Sequence, residues 1–413
     1  MTAPEQGSTY FRKGFGLKGE VEETLAADYD GSLVDLLRSR DHTLTIGGVT
    51  VRLAREFGFC YGVERAVEYA YQTRRKFPDR RIRLVGEIIH NPHVNRRLGE
   101  MGIEILTPGQ DADGKPVFDY ADVSPQDVVI LPAFGVTIRD FETLRGLGCV
   151  VVDTTCGSVL NVWKRVESYA RDGFTALIHG KHYHEETRAT ASQVGRYPGG
   201  QYLVVRDMSE ARLVCAYIEG SESRQEFMER FVRAASPGFD PDLHLRHIGV
   251  ANQTTMLARE SLAIGEEVGR AVARRYGDVY RAENFRTFDT ICSATQDRQD
   301  AVQELLQESL DAMVVIGGYN SSNTISLAAL CAERVPTYHI EDATSIEPDT
   351  RRIAFRPAGV QHSEASAIDW IPDRSGVRIG LTAGASTPNN KIGETVARIF
   401  ATRGIDVRVV GAA

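Results

Sequence analysis

One unit recurs three times along the chain, and it limits the possible folds more than any other feature. An apolar strand pattern runs to a cysteine, and a helical pattern starts within a few residues. The first copy runs from Val51 through Cys60 into Arg65–Tyr71, and the second from Val150 through Cys156 into Val159–Tyr169. The third runs from Phe288 through Cys292 into Arg298–Leu306. Two copies share Asp-Thr-x-Cys to the letter, as Asp153-Thr-Thr-Cys156 and Asp289-Thr-Ile-Cys292. Repetition of this kind points to pseudo-symmetric domains.

A cysteine at a helix N-terminus meets unpaired N–H groups and the positive end of the helix dipole, which favour the thiolate. Thiolates bind soft metals and iron–sulfur clusters. The three cysteines are far apart in sequence, which suits one ligand per domain and not a local knuckle. The residues alone leave a second reading open, because a free cysteine is often a small buried hydrophobe. Cys149, Cys215 and Cys331 lie in apolar strand or helix patterns and are read as core.

At 413 residues the chain exceeds one ordinary core, so two to four domains are expected. Its formal net charge of −8 argues against a general nucleic-acid or anionic-membrane binder. No apolar run approaches the ~20 residues that span a bilayer, and the N-terminus lacks a secretory pattern. Six cysteines without a Cys-x-x-Cys pair fit a reducing cytoplasm.

Strand and helix patterns alternate from Val49 onward, which predicts α/β layering on mainly parallel sheets. Ligands in such sheets bind beyond the carboxyl ends of the strands, where Cys60, His90 and Phe134 fall. The reading divides the chain into an extension (1–49) and three α/β domains (50–149, 150–287 and 288–413). The extension is expected to carry helical spacing over 20–40 and to pack on the outside. The second domain is expected to hold a surface insertion near 219–242, and a tail strand is expected over 406–410.

Polar groups cluster at the predicted strand ends. Gly317-Gly-Tyr-Asn320-Ser321-Ser322-Asn323 could hold phosphate oxygens on backbone N–H groups, although such residues also cap helices for structural reasons. No Gly-Lys-Ser/Thr follows, so it is not a Walker A loop. Ala383-Gly-Ala-Ser386 is equally ambiguous. In His184-x-Glu186 the histidine could donate to a phosphate and the carboxyl could deliver a proton. The same cluster, with His182 and Glu185, also reads as a solvated loop or a zinc site, although no His-Glu-x-x-His helix is present.

Taken together, these motifs resemble the LytB/IspH family of hydroxymethylbutenyl diphosphate reductases, in its cyanobacterial and plant type. The segments are Phe57-Gly-Phe-Cys60, Glu87-x-Ile-His90-Asn, Asp153-x-Thr-Cys156, His184-x-Glu186, Gln253-Thr254-Thr255, Cys292-x-Ala-Thr-x-x-Arg-Gln299, Asn320-Ser-Ser-Asn323 and Thr382-Ala-Gly-Ala-Ser386. They occur in the family's order across residues 50–400. The resemblance implies a trefoil of three α/β domains around one [4Fe–4S] cluster held by Cys60, Cys156 and Cys292. It further implies diphosphate contacts at His90, His184, Ser321, Ser322, Asn323 and Ser386. Glu186 would deliver protons and Thr254 would place the substrate alcohol.

The implied activity is reductive dehydroxylation of an allylic diphosphate, the last step of the methylerythritol phosphate route to isoprenoids. A small ferredoxin or flavodoxin would supply electrons. Many members carry a histidine where this chain has Phe134, and a phenyl ring cannot take over its donor role. Three other readings of the cysteines stay open: an open-cluster hydro-lyase, a non-catalytic redox sensor and a Cys₃ zinc site.

Overall fold

The structure is a computed structural model that describes residues 9–111, 114–360 and 363–407. It divides into two compact units. The first comprises the described residues up to Gly14, Phe77–Ile88 and Gly102–Cys292; the second comprises Phe15–Lys76, Ile89–Met101 and the described residues from Ser293 onward.

The first unit contains two parallel sheets. One has the strand order Tyr10–Phe11, Val150–Asp153, Val128–Leu131, Ile82–Val85, Ile103–Leu106. Every residue of its three central strands is buried, as in a sheet covered on both faces. The other has the order Tyr202–Val205, Thr175–His179, Ile248–Asn252, Phe285–Thr287.

The second unit contains the third sheet, in the order Thr337–Ile340, Ala312–Ile316, Val377–Ala383, Val49–Leu53, Thr43–Ile46. All its pairings are parallel except the last. A three-stranded antiparallel sheet (Ile346–Glu347, Arg352–Phe355, Ala365–Ile368) accompanies it. The fold class is therefore α/β with three mainly parallel sheets, as the alternating pattern predicts.

The expected boundaries at 50 and 150 need correction, because the sheets divide the chain differently. Val49–Leu53 joins the third sheet, beside Val377–Ala383, and does not open the first. Val150–Asp153 joins the first sheet, beside Val128–Leu131. The physical reason is that each strand–cysteine–helix unit is a crossing. Its strand completes one sheet, and the chain then runs through the helix toward the next. An apolar run is legible as a strand, but nothing in it says which sheet it joins.

The extension also belongs inside the fold. Tyr10 and Phe11 pair with Val151 and Val152 at the edge of the first sheet. In the second unit, the helical stretch is two helices, Lys18–Tyr29 and Ser32–Ser39, which bury Val21, Tyr29, Val34 and Leu37. Gly31 separates them where a side chain would collide with the Asn389 carbonyl at 2.8 Å. The insertion near 219–242 is likewise anchored: Phe227 and Phe231 of the helix Arg224–Phe231 are fully buried in the core of the second sheet. Of the expected tail strand, residues 408–410 lie outside the described residues, and Asp406 and Val407 form no strand.

Candidate functional site

All three repeat cysteines stand directly before a helix: Cys60 before Tyr61–Lys76, Cys156 before Gly157–Arg171 and Cys292 before Ser293–Leu305. The repetition extends to the backbone. The Cys60 N–H donates to the Ala385 carbonyl (3.2 Å), that of Cys156 to Ala133 (2.9 Å) and that of Cys292 to Thr254 (3.4 Å). Each acceptor lies just past the end of the strand paired with the one that precedes the cysteine. The three cysteines are thus equivalent positions in three copies of one local design.

The shared Asp-Thr-x-Cys has a physical purpose. The Asp153 carboxylate accepts the Thr155 N–H at 2.9 Å, and the Asp289 carboxylate accepts the Ile291 N–H at 3.0 Å. Each aspartate closes an Asx turn that swings the chain from strand to helix onset.

In the first unit a run of contacts joins the Cys292 turn to the Cys156 turn. Cys292 bonds to the Thr254 carbonyl, and the Thr254 N–H donates to Glu186 Oε1 at 2.6 Å. Glu186 is 1% exposed and sits in the first turn of the helix Glu185–Ser192. The Glu186 N–H donates to His184 Nδ1 at 3.2 Å, so His184 caps this helix. With Nδ1 accepting, the neutral imidazole carries its proton on Nε2. The Phe134 and His184 rings meet in a T-shaped contact at 5.8 Å between centroids. Ala133, next to Phe134, accepts the Cys156 N–H. Gln253 braces the same loops by accepting from Thr187 Oγ1 (3.0 Å) and from the Lys181 N–H (3.2 Å).

In the second unit a further set of polar side chains gathers about Ala385, whose carbonyl meets the Cys60 N–H. Asn323 Oδ1 accepts the Ala385 N–H at 2.9 Å, and Ser386 Oγ donates to the His90 carbonyl at 3.0 Å. The His90 Nδ1 lies 3.2 Å from Asn320 Nδ2. Ser321 caps the helix Ser322–Ala332 by accepting from the Thr324 N–H, so its hydroxyl has the structural role weighed above. His90, Ser321, Ser322, Asn323 and Ser386 are all buried. They bring small donors and a helix N-terminus to the end of the third sheet, a combination suited to phosphate oxygens.

The remaining cysteines behave as core. Cys149, Cys215 and Cys331 are buried, and burial raises all three thiols, that of Cys215 to about 12. Cys60, Cys156 and Cys292 are only partly buried, and none is in a disulfide. A partly buried cysteine at a helix onset is a donor that suits a soft metal or an iron–sulfur cluster, and each of the three offers one.

The family model for LytB protein matches residues 51–400. The chain belongs to the LytB family. Relatives include the 4-hydroxy-3-methylbut-2-enyl diphosphate reductase of Gloeobacter violaceus, 48% identical over 97% of this chain and 94% of that protein. The enzyme of the same name from Thermosynechococcus vestitus is 47% identical over 96% and 95%. A solved structure of (E)-4-hydroxy-3-methyl-but-2-enyl diphosphate reductase, described as the terminal enzyme of the non-mevalonate pathway, matches with a TM-score of 0.51 and 27% identity. It covers 85% of this chain and 98% of its own. The Plasmodium falciparum reductase structure shares the fold, with a TM-score of 0.59 at 20% identity over 84% and 86%.

Three groups around the cysteine turns of this LytB-family chain carry roles that sequence reasoning did not assign. Asp153 and Asp289 make the turns, and the letter-for-letter repeat was their signal. Tyr10 donates to Asp153 at 2.6 Å, and no local pattern could have announced a partner so distant in the chain. Among the described residues, no helix is long and apolar enough to cross a membrane.

Proposed function

We propose that this protein reduces 4-hydroxy-3-methylbut-2-enyl diphosphate to isopentenyl and dimethylallyl diphosphate. Family membership across most of the chain supports the reaction. The single observation that supports the assignment of roles is the hydrogen-bonded run from the partly buried Cys292 through the buried Thr254 to the buried Glu186, a carboxyl group beside a cysteine turn.

Cys60, Cys156 and Cys292 would hold one [4Fe–4S] cluster. Such a cluster would supply a Lewis-acidic iron for the substrate hydroxyl and a route for the two electrons that a ferredoxin or flavodoxin would provide. The rest falls to the chain. His184 offers its Nε2 proton to an anionic oxygen while its Nδ1 is held by the Glu186 N–H. Asn323, Ser321, Ser322, Ser386 and His90 receive the diphosphate, whose charge the helix N-terminus at Ser322 favours. The Thr254 hydroxyl orients the substrate alcohol. Glu186, fixed through Oε1, delivers protons: one leaves with the hydroxyl as water and one reaches an allylic carbon, balancing the two electrons. A reducing cytoplasm is the compartment that suits accessible thiols.

The test is anaerobic iron and sulfide analysis followed by reductant-driven turnover of the diphosphate substrate. Glu186→Gln is expected to keep the iron and to bind substrate while turnover falls at least ~10²-fold, the usual loss of a general acid. Retained turnover would remove Glu186 from the mechanism. Cys60→Ser is expected to lose iron, and an unchanged iron content would contradict its place as a ligand.

A further inference from the structure

Arg298 stands out among the buried ionisable groups. It is 3% exposed on the helix Ser293–Leu305, which starts directly after Cys292. Burying a guanidinium is costly unless it is paired and fully hydrogen-bonded. Its hydrogen bonds all go to main-chain carbonyls: Nε and Nη2 to Gly58 at 3.2 and 2.7 Å, Nη2 also to Phe59 at 3.2 Å, and Nη1 to Ala294 at 2.7 Å. The acidic residues nearest in sequence, Asp297 and Asp300, are exposed, and Asp300 accepts from Gln296. The cation is therefore solvated by carbonyl dipoles with no carboxylate among its partners.

The two carbonyls from outside its own helix belong to the residues that lead into Cys60. This turn is pinned on several sides. The Gly58 N–H donates to Ala383 and the Cys60 N–H to Ala385, both at 3.2 Å. Gly58 has φ +67°, and a side chain there would press on the Thr387 carbonyl at 3.1 Å. Arg298 takes the carbonyl side of the same turn, so one side chain fixes the residues that lead to the thiol and brings a full positive charge to that turn. The net charge near a cluster and the hydrogen bonds around it set its reduction potential.

We propose that Arg298 is a positioning residue for the Cys60 thiolate and that its uncompensated charge raises the reduction potential of the group Cys60 helps to hold. The proposal rests on the cluster assignment above. By Coulomb's law at an effective dielectric near 20, a unit charge anywhere within ~10 Å shifts a one-electron equilibrium by roughly tenfold or more.

The experiment is an anaerobic redox titration of the reconstituted protein, followed by electron paramagnetic resonance, on wild type, Arg298→Gln and Arg298→Lys. Iron release to a chelator is measured in parallel. In Arg298→Gln the oxidised-to-reduced ratio at a fixed solution potential is expected to rise roughly tenfold. Arg298→Lys keeps the charge but loses the fork. Its ratio should stay within about threefold of wild type while iron release quickens, and this arm decides the matter if the glutamine variant does not fold. A wild-type potential in Arg298→Gln, or a lysine variant shifted as far as the glutamine one, overturns the proposal. Absence of a cluster in the wild type would instead overturn the reading on which it rests.

Discussion

The two copies of Asp-Thr-x-Cys make the same turn in different surroundings. Asp153 is 5% exposed, takes the Tyr10 hydroxyl on its second oxygen and has the Arg12 guanidinium 3.9 Å away. Burial and this carboxylate hold the Tyr10 phenol well above its ordinary pKa, so it remains a donor at any working pH. Asp289 is exposed, and beside it Thr290 ties the segment to the Asn252 N–H at 2.7 Å. Identical letters therefore encode the local turn, while the tertiary brace comes from elsewhere, in one copy from the N-terminal strand. The Cys60 copy has no such aspartate and is braced by the cation of Arg298.

The contrast can be broken by substitution. Asp153→Ala should have the largest effect, about 3 kcal/mol or more in apo-protein unfolding, because two hydrogen bonds to a buried charge are lost together. Iron content after anaerobic reconstitution should fall with it. Tyr10→Phe should cost about 1.5 kcal/mol by removing one of those bonds and should also lower iron retention. Asp289→Ala should cost about 1 kcal/mol or less, since water can replace an exposed acceptor. Arg12→Ala, at a half-exposed ion pair, should stay within about 0.5 kcal/mol. Thermal unfolding of the four variants checks the order. Equal losses in Asp153→Ala and Asp289→Ala would show that the turn alone matters and would remove the role of the N-terminal strand.

Much of this was legible in the residues. The alternating apolar runs from Val49 onward signalled strands such as Ala312–Ile316 and Ile248–Asn252, because burial on both faces leaves little else for such runs to be. The repeat marked the three helix onsets at Cys60, Cys156 and Cys292. Sheet membership was not legible. Val49–Leu53 carries no mark of its pairing with Val377–Ala383, since strand pairing is decided by long-range packing. For the same reason the tie from Tyr10 to Asp153 was hidden, and the extension was expected on the outside. In the candidate site, the local pair His184 and Glu186 was readable from its spacing. The link from Glu186 to the Thr254 N–H needed the fold.

The placement of the cysteines at crossings bears on any attempt to dissect the molecule. Severing the polypeptide at a sheet border separates a thiol either from the strand that delivers it or from the helix that receives it. A truncated piece carrying one complete sheet would thus own parts of two cysteine turns and the whole of neither. Miniaturised versions should be sought by trimming the periphery, not by excising a lobe.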